Sequence, residues 1–378
     1  MKLNLFLILL AVSVMLKLQA AVLQEDRADI LYHSFDGGGV EITGPSILVR
    51  KKFSESISAG FNHYVDNVSS ASIDVITTAS PYTEHRDENS ISVDYLSQKT
   101  TISFGFANSI ENDYDATTFS FNISQDFFGD LTTLSAGFGV GDNKVGKNGD
   151  PDFKEDANTR NYRLSLSQIM TRNLIVSMAL EVISDEGYLN NPYRSVRYFD
   201  VSNTSLQYSY QSEIYPQTRT STAVAVRAKY FLAPKSALSA GYRFYNDSWG
   251  IDAHTFEFGY SQPIREHWEL ETSLRFYQQD SAEFYNDLFP FVSAQNFLAR
   301  DKELSRFTTT TLGAGFSYEF SSRDWSLIKR GRVNFFYDYI LFDYDNFRDL
   351  TSTTSSVGQE PLYSFDAGVI RAYASVWF

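Results

Sequence analysis

WELETSLRFY, residues 268–277, alternates two chemistries residue by residue. Trp268, Leu270, Thr272, Leu274 and Phe276 share one parity, and Glu269, Glu271, Ser273, Arg275 and Tyr277 share the other. Successive side chains of an extended strand point to opposite faces, so the pattern predicts a strand with one apolar and one polar face. The same alternation recurs on both sides of this stretch. Phe256, Phe258 and Tyr260 interleave with Glu257, Gly259 and Ser261; Leu238, Ala240, Tyr242 and Phe244 with Ser239, Gly241 and Arg243. Leu312, Ala314, Phe316, Tyr318 and Phe320 interleave with Gly313, Gly315, Ser317 and Glu319, and Ile102, Phe104 and Phe106 with Ser103, Gly105 and Ala107.

A sandwich of two sheets alternates as well, and connection lengths separate the two architectures. Tight turns sit at Ser54–Glu55, Gln98–Lys99, Phe128–Asp130, Thr171–Arg172, Ala233–Ser236 and Pro263–Glu266. Between them come longer polar segments at 67–88, 142–158, 185–216, 280–303 and 346–362. Short and long connections taking turns is the habit of outer-membrane barrels. Strands are expected near 28–36, 39–52, 56–66, 89–97, 100–109, 116–126, 131–141 and 159–169. They continue near 173–183, 217–232, 237–248, 252–262, 267–279, 304–320, 330–345 and 363–378. That is about sixteen antiparallel strands in an all-β, up-and-down transmembrane barrel with both termini on the periplasmic side. The run Gly37-Gly38-Gly39 reads as a turn using positive φ between the first two strands.

Both chain ends fit an exported barrel. Lys2 followed by the uncharged apolar run Leu3–Leu16, then Lys17 and the small pair Ala20–Ala21, has the layout of a secretory signal peptide over 1–20. The domain division is therefore a leader at 1–20 and a single barrel at 21–378. At the other end Ile370, Ala372, Ala374, Val376 and Phe378 form an apolar face that finishes on the terminal residue. Phe378 resembles the signal read by the barrel-assembly machinery. The mean hydropathy of -0.26 does not contradict a membrane location, because alternating strands cancel in any average. There is no cysteine, which removes disulfides and thiolate metal sites. The net charge of -14 lacks the basic footprint of a nucleic-acid binder; an exported barrel is expected to meet outer-membrane lipid and the assembly machinery.

Chemical motifs are sparse. Gly141 to Lys147 matches the first part of a phosphate-binding loop, but Asn148 stands where Ser or Thr should hold magnesium and Pro151 follows. Asp142, Asp150, Asp152, Glu155 and Asp156 could offer oxygen ligands to calcium, though their spacing matches no standard loop. His33 and His63, with Asp66 and Asp74 close in sequence, could converge on a metal; singly satisfied histidines are the commoner outcome. No Gly-x-Ser-x-Gly elbow exists, so neither an enzyme nor a cofactor is expected. Charge on a lipid face is costly, so the charges of opposite parity belong in the lumen. Arg227, Arg243, Glu257, Glu269, Glu271 and Arg275 are the central ones. They read either as a wall-propping network or as the lining of a polar conduit, and their mixed signs predict no strong ion selectivity.

The blocks DILYHSFDGGGVEITGPSILVRKKF at 29–53, VSSASIDVITTASPY at 68–82, SQDFFGDLTTLSAGF at 124–138 and SDEGYLNNPYRSVRY at 184–198 resemble a family of Gram-negative proteins catalogued as a domain of unknown function. The resemblance spans essentially the whole mature chain. It implies genes neighbouring a small lipoprotein, a thioredoxin-like protein and a flavin-attaching transferase, hence a role in envelope redox or metal handling. It implies no catalytic residues. Within the last block, the segment from Leu189 to Tyr198 is apolar and basic amid acidic loops. A loop folded into an acidic bore is expected there, with Asn190 and Asn191 in it and Arg194 and Arg197 paired to wall carboxylates. The function expected is a conduit or docking shell for a small solute or envelope partner. The alternatives are an adhesion barrel working through its outward loops and a barrel-borne surface enzyme.

Overall fold

The computed structural model describes residues 22–73, 77, 82–232, 235–321, 327–352 and 355–378. The expected leader at 1–20 and Asp74 lie outside the described residues. Sixteen strands close into one antiparallel barrel. They begin with β1 (Arg27–Gly37), β2 (Val40–Ser54), β3 (Ile57–Ser70), β4 (Tyr82–Ser97), β5 (Thr100–Ile110) and β6 (Tyr114–Phe127). Next come β7 (Thr132–Val145), β8 (Glu155–Ile169), β9 (Leu174–Gly187), β12 (Thr218–Leu232), β13 (Ser236–Asp247) and β14 (Asp252–Ile264). The set ends with β15 (Trp268–Gln279), β16 (Phe307–Phe320), β17 (Arg330–Arg348) and β18 (Leu362–Trp377). Two short strands, β10 (Ser195–Phe199) and β11 (Tyr208–Ser212), form a separate hairpin inside the β9–β12 connection.

Closure follows from β1 pairing with both β2 and β18, Arg27 opposite Trp377 and Gly37 opposite Ala367. An open edge in hydrocarbon would strand amide groups at a cost of several kcal/mol each, so the ring is what makes a spanning sheet stable. The start of β1, the end of β18 and most of the tight turns gather at one end of the barrel, the turn end; most of the longer connections gather at the other, the loop end. The exposed apolar residues Phe104, Phe119, Phe138, Leu164, Phe258 and Leu312 all carry the outward parity. Tyr95, Tyr230, Tyr260, Trp268 and Tyr318, also exposed, ring that face near the turn end, as an interfacial aromatic girdle does.

Gly38 and Gly39 join β1 to β2 with φ of 57° and 76°, the left-handed conformation a side chain disfavours. Strands extend further at the loop end than periodicity suggests. Residues 82–88, expected in a loop, pair with β3 from Tyr82 opposite Ser70 to Glu88 opposite Tyr64. That segment is polar on both faces, so it carries no alternation to read, yet its backbone still completes the ladder. The β10–β11 hairpin was likewise not anticipated.

Candidate functional site

The lumen is lined differently on its two sides. One rung runs Ser92–Gly105–Ser120–Gly139 across β4 to β7, a wall of small residues where Ser120 is exposed although it points inward. The opposite wall carries the charges. Arg227, Arg243, Glu257, Glu269, Glu271 and Arg275 all sit on the parity opposite the lipid-facing aromatics of their strands. They fall into two groups. Toward the turn end, Arg332 reaches Glu269 at 2.7 Å and Glu271 at 3.9 Å, and Arg371 reaches Asp338 at 2.6 Å. Further up the bore, Arg163 grips Glu181 at 2.7 Å and Arg243 stands 3.9 Å from the same carboxylate. Arg227 and Arg275 stand 3.7 Å from the two oxygens of Glu257.

Above this belt the chain's own connections pack at the loop end. Those at 188–217 and 280–306 pack against each other there and hold Glu360. Val145 and Ala157 at the strand rim, Tyr215, Trp249, Phe284 and Leu304 make one buried apolar cluster. Phe35, Phe307, Ile340, Phe342, Tyr344 and Phe347 make a second on the other side. Backbone hydrogen bonds stitch the hairpin to the 280–306 connection, from Phe289 N–H to the Arg197 carbonyl and from Phe199 N–H to the Phe289 carbonyl, both 2.9 Å.

Ion pairs lock these layers. Arg197 is 0% exposed. Its Nη1 donates to Glu360 at 2.6 Å, its Nε donates to the Asp287 carbonyl at 3.0 Å, and its Nη2 donates to the Asp287 carboxylate. Burial works against that guanidinium's charge, but the two carboxylates outweigh it and hold its pKa above the usual arginine value. Arg300 approaches Asp287 at 2.9 Å, donates to the Arg348 carbonyl at 3.0 Å, and lies over the Phe347 ring at 4.4 Å. Arg194 meets Asp301 at 2.7 Å. Asn190 ties the two ends of its loop, donating to the Glu213 carbonyl at 2.8 Å and accepting from Tyr215 N–H at 3.0 Å. Asn191 is buried and accepts from Tyr193 N–H at 3.0 Å.

The expected pairing of Arg194 and Arg197 with wall carboxylates is therefore corrected. Their partners Asp301, Asp287 and Glu360 stand on the two neighbouring connections, because the wall at that height is aromatic. These acids lie 90 and 163 residues from Arg197 in the cases of Asp287 and Glu360, and no periodicity could have pointed to them.

Glu213 is buried beside Asp301; it accepts from the Tyr215 hydroxyl at 2.6 Å and from Arg300 N–H at 2.7 Å. Burial and the Asp301 charge push its pKa up to about 7, and the same two causes push Glu303 up to about 7.

The histidine expectation resolves differently. His33 is buried on the lumen face with its Nε2 2.7 Å from Asp66 and 3.1 Å from the Tyr64 hydroxyl. Gly44 makes room there: a Cβ at that position would lie 1.7 Å from the Val65 carbonyl oxygen. His63 has the opposite parity and meets Asn89 at 3.0 Å on the outside, so the two histidines do not converge. Among the described residues, the carboxylates that do gather are Glu84, Glu111 and Asp113, with ligand atoms within 4.8 Å of one another. Arg86 lies 3.7 Å from Glu111, and burial with the Glu84 charge pushes Glu111 up to about 7. Phe378 carries the outward parity at the turn end, its N–H donating to the Asp26 carbonyl at 3.3 Å and Lys51 standing 5.1 Å over its ring.

Comparison with known proteins returns likeness in shape. A bacterial polysaccharide outer membrane secretin aligns with a TM-score of 0.49 at 7% identity, over 94% of this chain and 99% of that one. The CymD monoaromatic hydrocarbon channel aligns at 0.46 and 11% identity, over 94% and 89%. A FadL homologue of Pseudomonas aeruginosa aligns at 0.45 and 9% identity, over 95% and 92%. No curated protein matches the sequence. The profile of the family described as "Protein of unknown function (DUF3570)" matches residues 6–162 and 147–330, and the chain belongs to that family.

Proposed function

We propose that the protein is a gated conduit in the outer membrane of a Gram-negative bacterium, with the turn end toward the periplasm and the cap outward. The orientation rests on the general habit of short periplasmic turns and long outward loops. The observation that carries the reading is a contrast along one bore: half-exposed charges in the middle beneath connections bolted to one another at the loop end. A wall-propping network alone would leave no reason for Arg163 to keep 67% of its side chain exposed inside the lumen. The reading contains no catalytic step.

Planar-bilayer recording tests it. Removing residues 195–212, the whole β10–β11 hairpin, behind a short linker leaves every barrel strand in place. The intact protein is expected to conduct rarely, and the deletion to conduct steadily. Silence from both overturns the conduit.

A second reading, a housing for a periplasmic or lipoprotein partner, is favoured by the same bolted connections. Under that reading the chain is purified with a crosslinked partner and stays closed after the hairpin is removed. Envelope redox or metal handling enters through this arm: a thioredoxin-like or flavin-carrying partner would establish it.

A further inference from the structure

We propose that the arginine belt in the middle of the bore is a binding site for small solutes bearing carboxylate or phosphate groups. This rests on the conduit reading and names what the conduit selects. Four guanidiniums, Arg163, Arg227, Arg243 and Arg275, face two carboxylates, Glu181 and Glu257, so the belt carries an excess of two positive charges. The group nearer the turn end is balanced: Arg332, Arg371 and Lys229 offset Glu269, Glu271 and Asp338. The next acids toward the cap are occupied, Asp185 accepting from Thr159 at 2.7 Å and Asp247 from Arg219 Nε at 2.8 Å.

Geometry points the same way as charge. Arg163 to Glu181 is the one bridge at hydrogen-bond length; Arg227, Arg243 and Arg275 stand 3.7 to 3.9 Å from their carboxylates. That separation is electrostatic attraction without a hydrogen bond. Arg275 Nε is buried without any hydrogen-bond partner, and a buried donor left unmade is destabilising. A bound anionic oxygen would satisfy it. The heads are also held in place: Arg243 lies 5.5 Å over Tyr245 and Arg275 5.3 Å over Tyr277, so their forks are oriented before a ligand arrives. Register fixes the grouping, since Arg227, Gly241, Glu257 and Arg275 occupy one rung across β12 to β15. The rung of Ser and Gly on β4 to β7 lines another part of the same bore. Planar guanidinium forks match carboxylate and phosphate geometry.

The test uses the detergent-purified full chain and two probes, citrate and inorganic phosphate, titrated calorimetrically at low ionic strength. Saturable binding that weakens with added salt is expected for at least one probe. The double variant R227Q/R243Q should lose at least tenfold in affinity while keeping the heat-modifiable gel mobility of a folded barrel. R332Q, in the balanced group, should bind as the parent does. No binding of either probe, or binding indifferent to R227Q/R243Q, overturns the site. Reversal potentials of the hairpin deletion keep this failure apart from that of the conduit. A conducting pore that prefers anions, and loses the preference in R227Q/R243Q, supports the site; a conducting pore without anion preference rejects it and leaves the conduit standing.

Discussion

Arg197 in the cap and Arg227 in the belt are both flanked by carboxylates, and their surroundings differ. Arg197 is fully buried and spends its donors on Glu360, the Asp287 carboxylate and the Asp287 carbonyl. Arg227 keeps 40% of its side chain exposed and stops 3.7 Å short of Glu257. The first arrangement is a bolt, since a desolvated charge must find all its partners inside the protein. The second leaves hydrogen-bonding capacity to whatever enters the bore. The same side chain thus locks loops together at one level and stays half exposed at another. What decides between the roles is the water left around the guanidinium.

The largest effect expected from this contrast is at the bolt. Arg197→Ala takes the guanidinium from Glu360 and leaves Asp287 with Arg300 alone, and should weaken the cap by about 3–5 kcal/mol, the usual consequence of breaking one side of a buried pair. Protease cleavage within 188–217 should then accelerate by orders of magnitude while the barrel remains heat-modifiable. Unchanged cleavage would mean that the aromatic clusters alone hold the cap.

A smaller effect comes from pH. Glu213 and Glu303 have closed-state pKa values raised from 4.5 to about 7, by burial first and by Asp301 second. Closing therefore takes up protons. The cap is tightest in acid and loosens as pH climbs from about 4.5 through 7, with little further change above. Around them stand Asp301, Arg194, Arg300, Lys302 and the Tyr215 hydroxyl. Open probability in bilayers should rise between pH 5 and pH 8, and Glu213→Gln should flatten the rise; a profile indifferent to E213Q would remove Glu213 from the gate. Glu360 moves the other way: burial opposes, but the Arg197 bond lowers its pKa. Its bond to Arg197 should persist until the pH falls below the ordinary glutamate range.

The smallest effect is expected in the belt. Arg227→Gln removes a half-exposed, long ion pair and should change unfolding stability by under about 1 kcal/mol. A loss several times larger in urea unfolding would show that Arg227 props the wall.

The barrel was legible because its signal is local: every second residue of a spanning strand reports its face, and WELETSLRFY does so without interruption. The luminal placement of Arg227, Glu257 and Arg275 follows from the same parity. The cap was only half legible. Leu189 to Tyr198 stands out by composition, but Asp287 and Glu360 belong to other connections and meet Arg197 only after three loops fold together. The strand portion 82–88 was hidden for another reason. Above the lipid both faces meet polar surroundings, so Thr83, Glu84 and His85 have no alternation to impose. His33 and His63 sit on different strands, β1 and β3, and face opposite sides of the sheet, because residue parity relates side chains only within one strand.

Because β1 and β18 lie side by side for eleven residue pairs, the first and last strands close the ring on each other and could be joined by one more turn. A circular permutant joined there and reopened at Gln98–Lys99 would keep every rung of the sheet. It would, however, bury Phe378 inside the sequence. If Phe378 acts as an insertion signal only at a free end, the permutant would close its sheet without that signal, and folding of the ring could be studied apart from delivery.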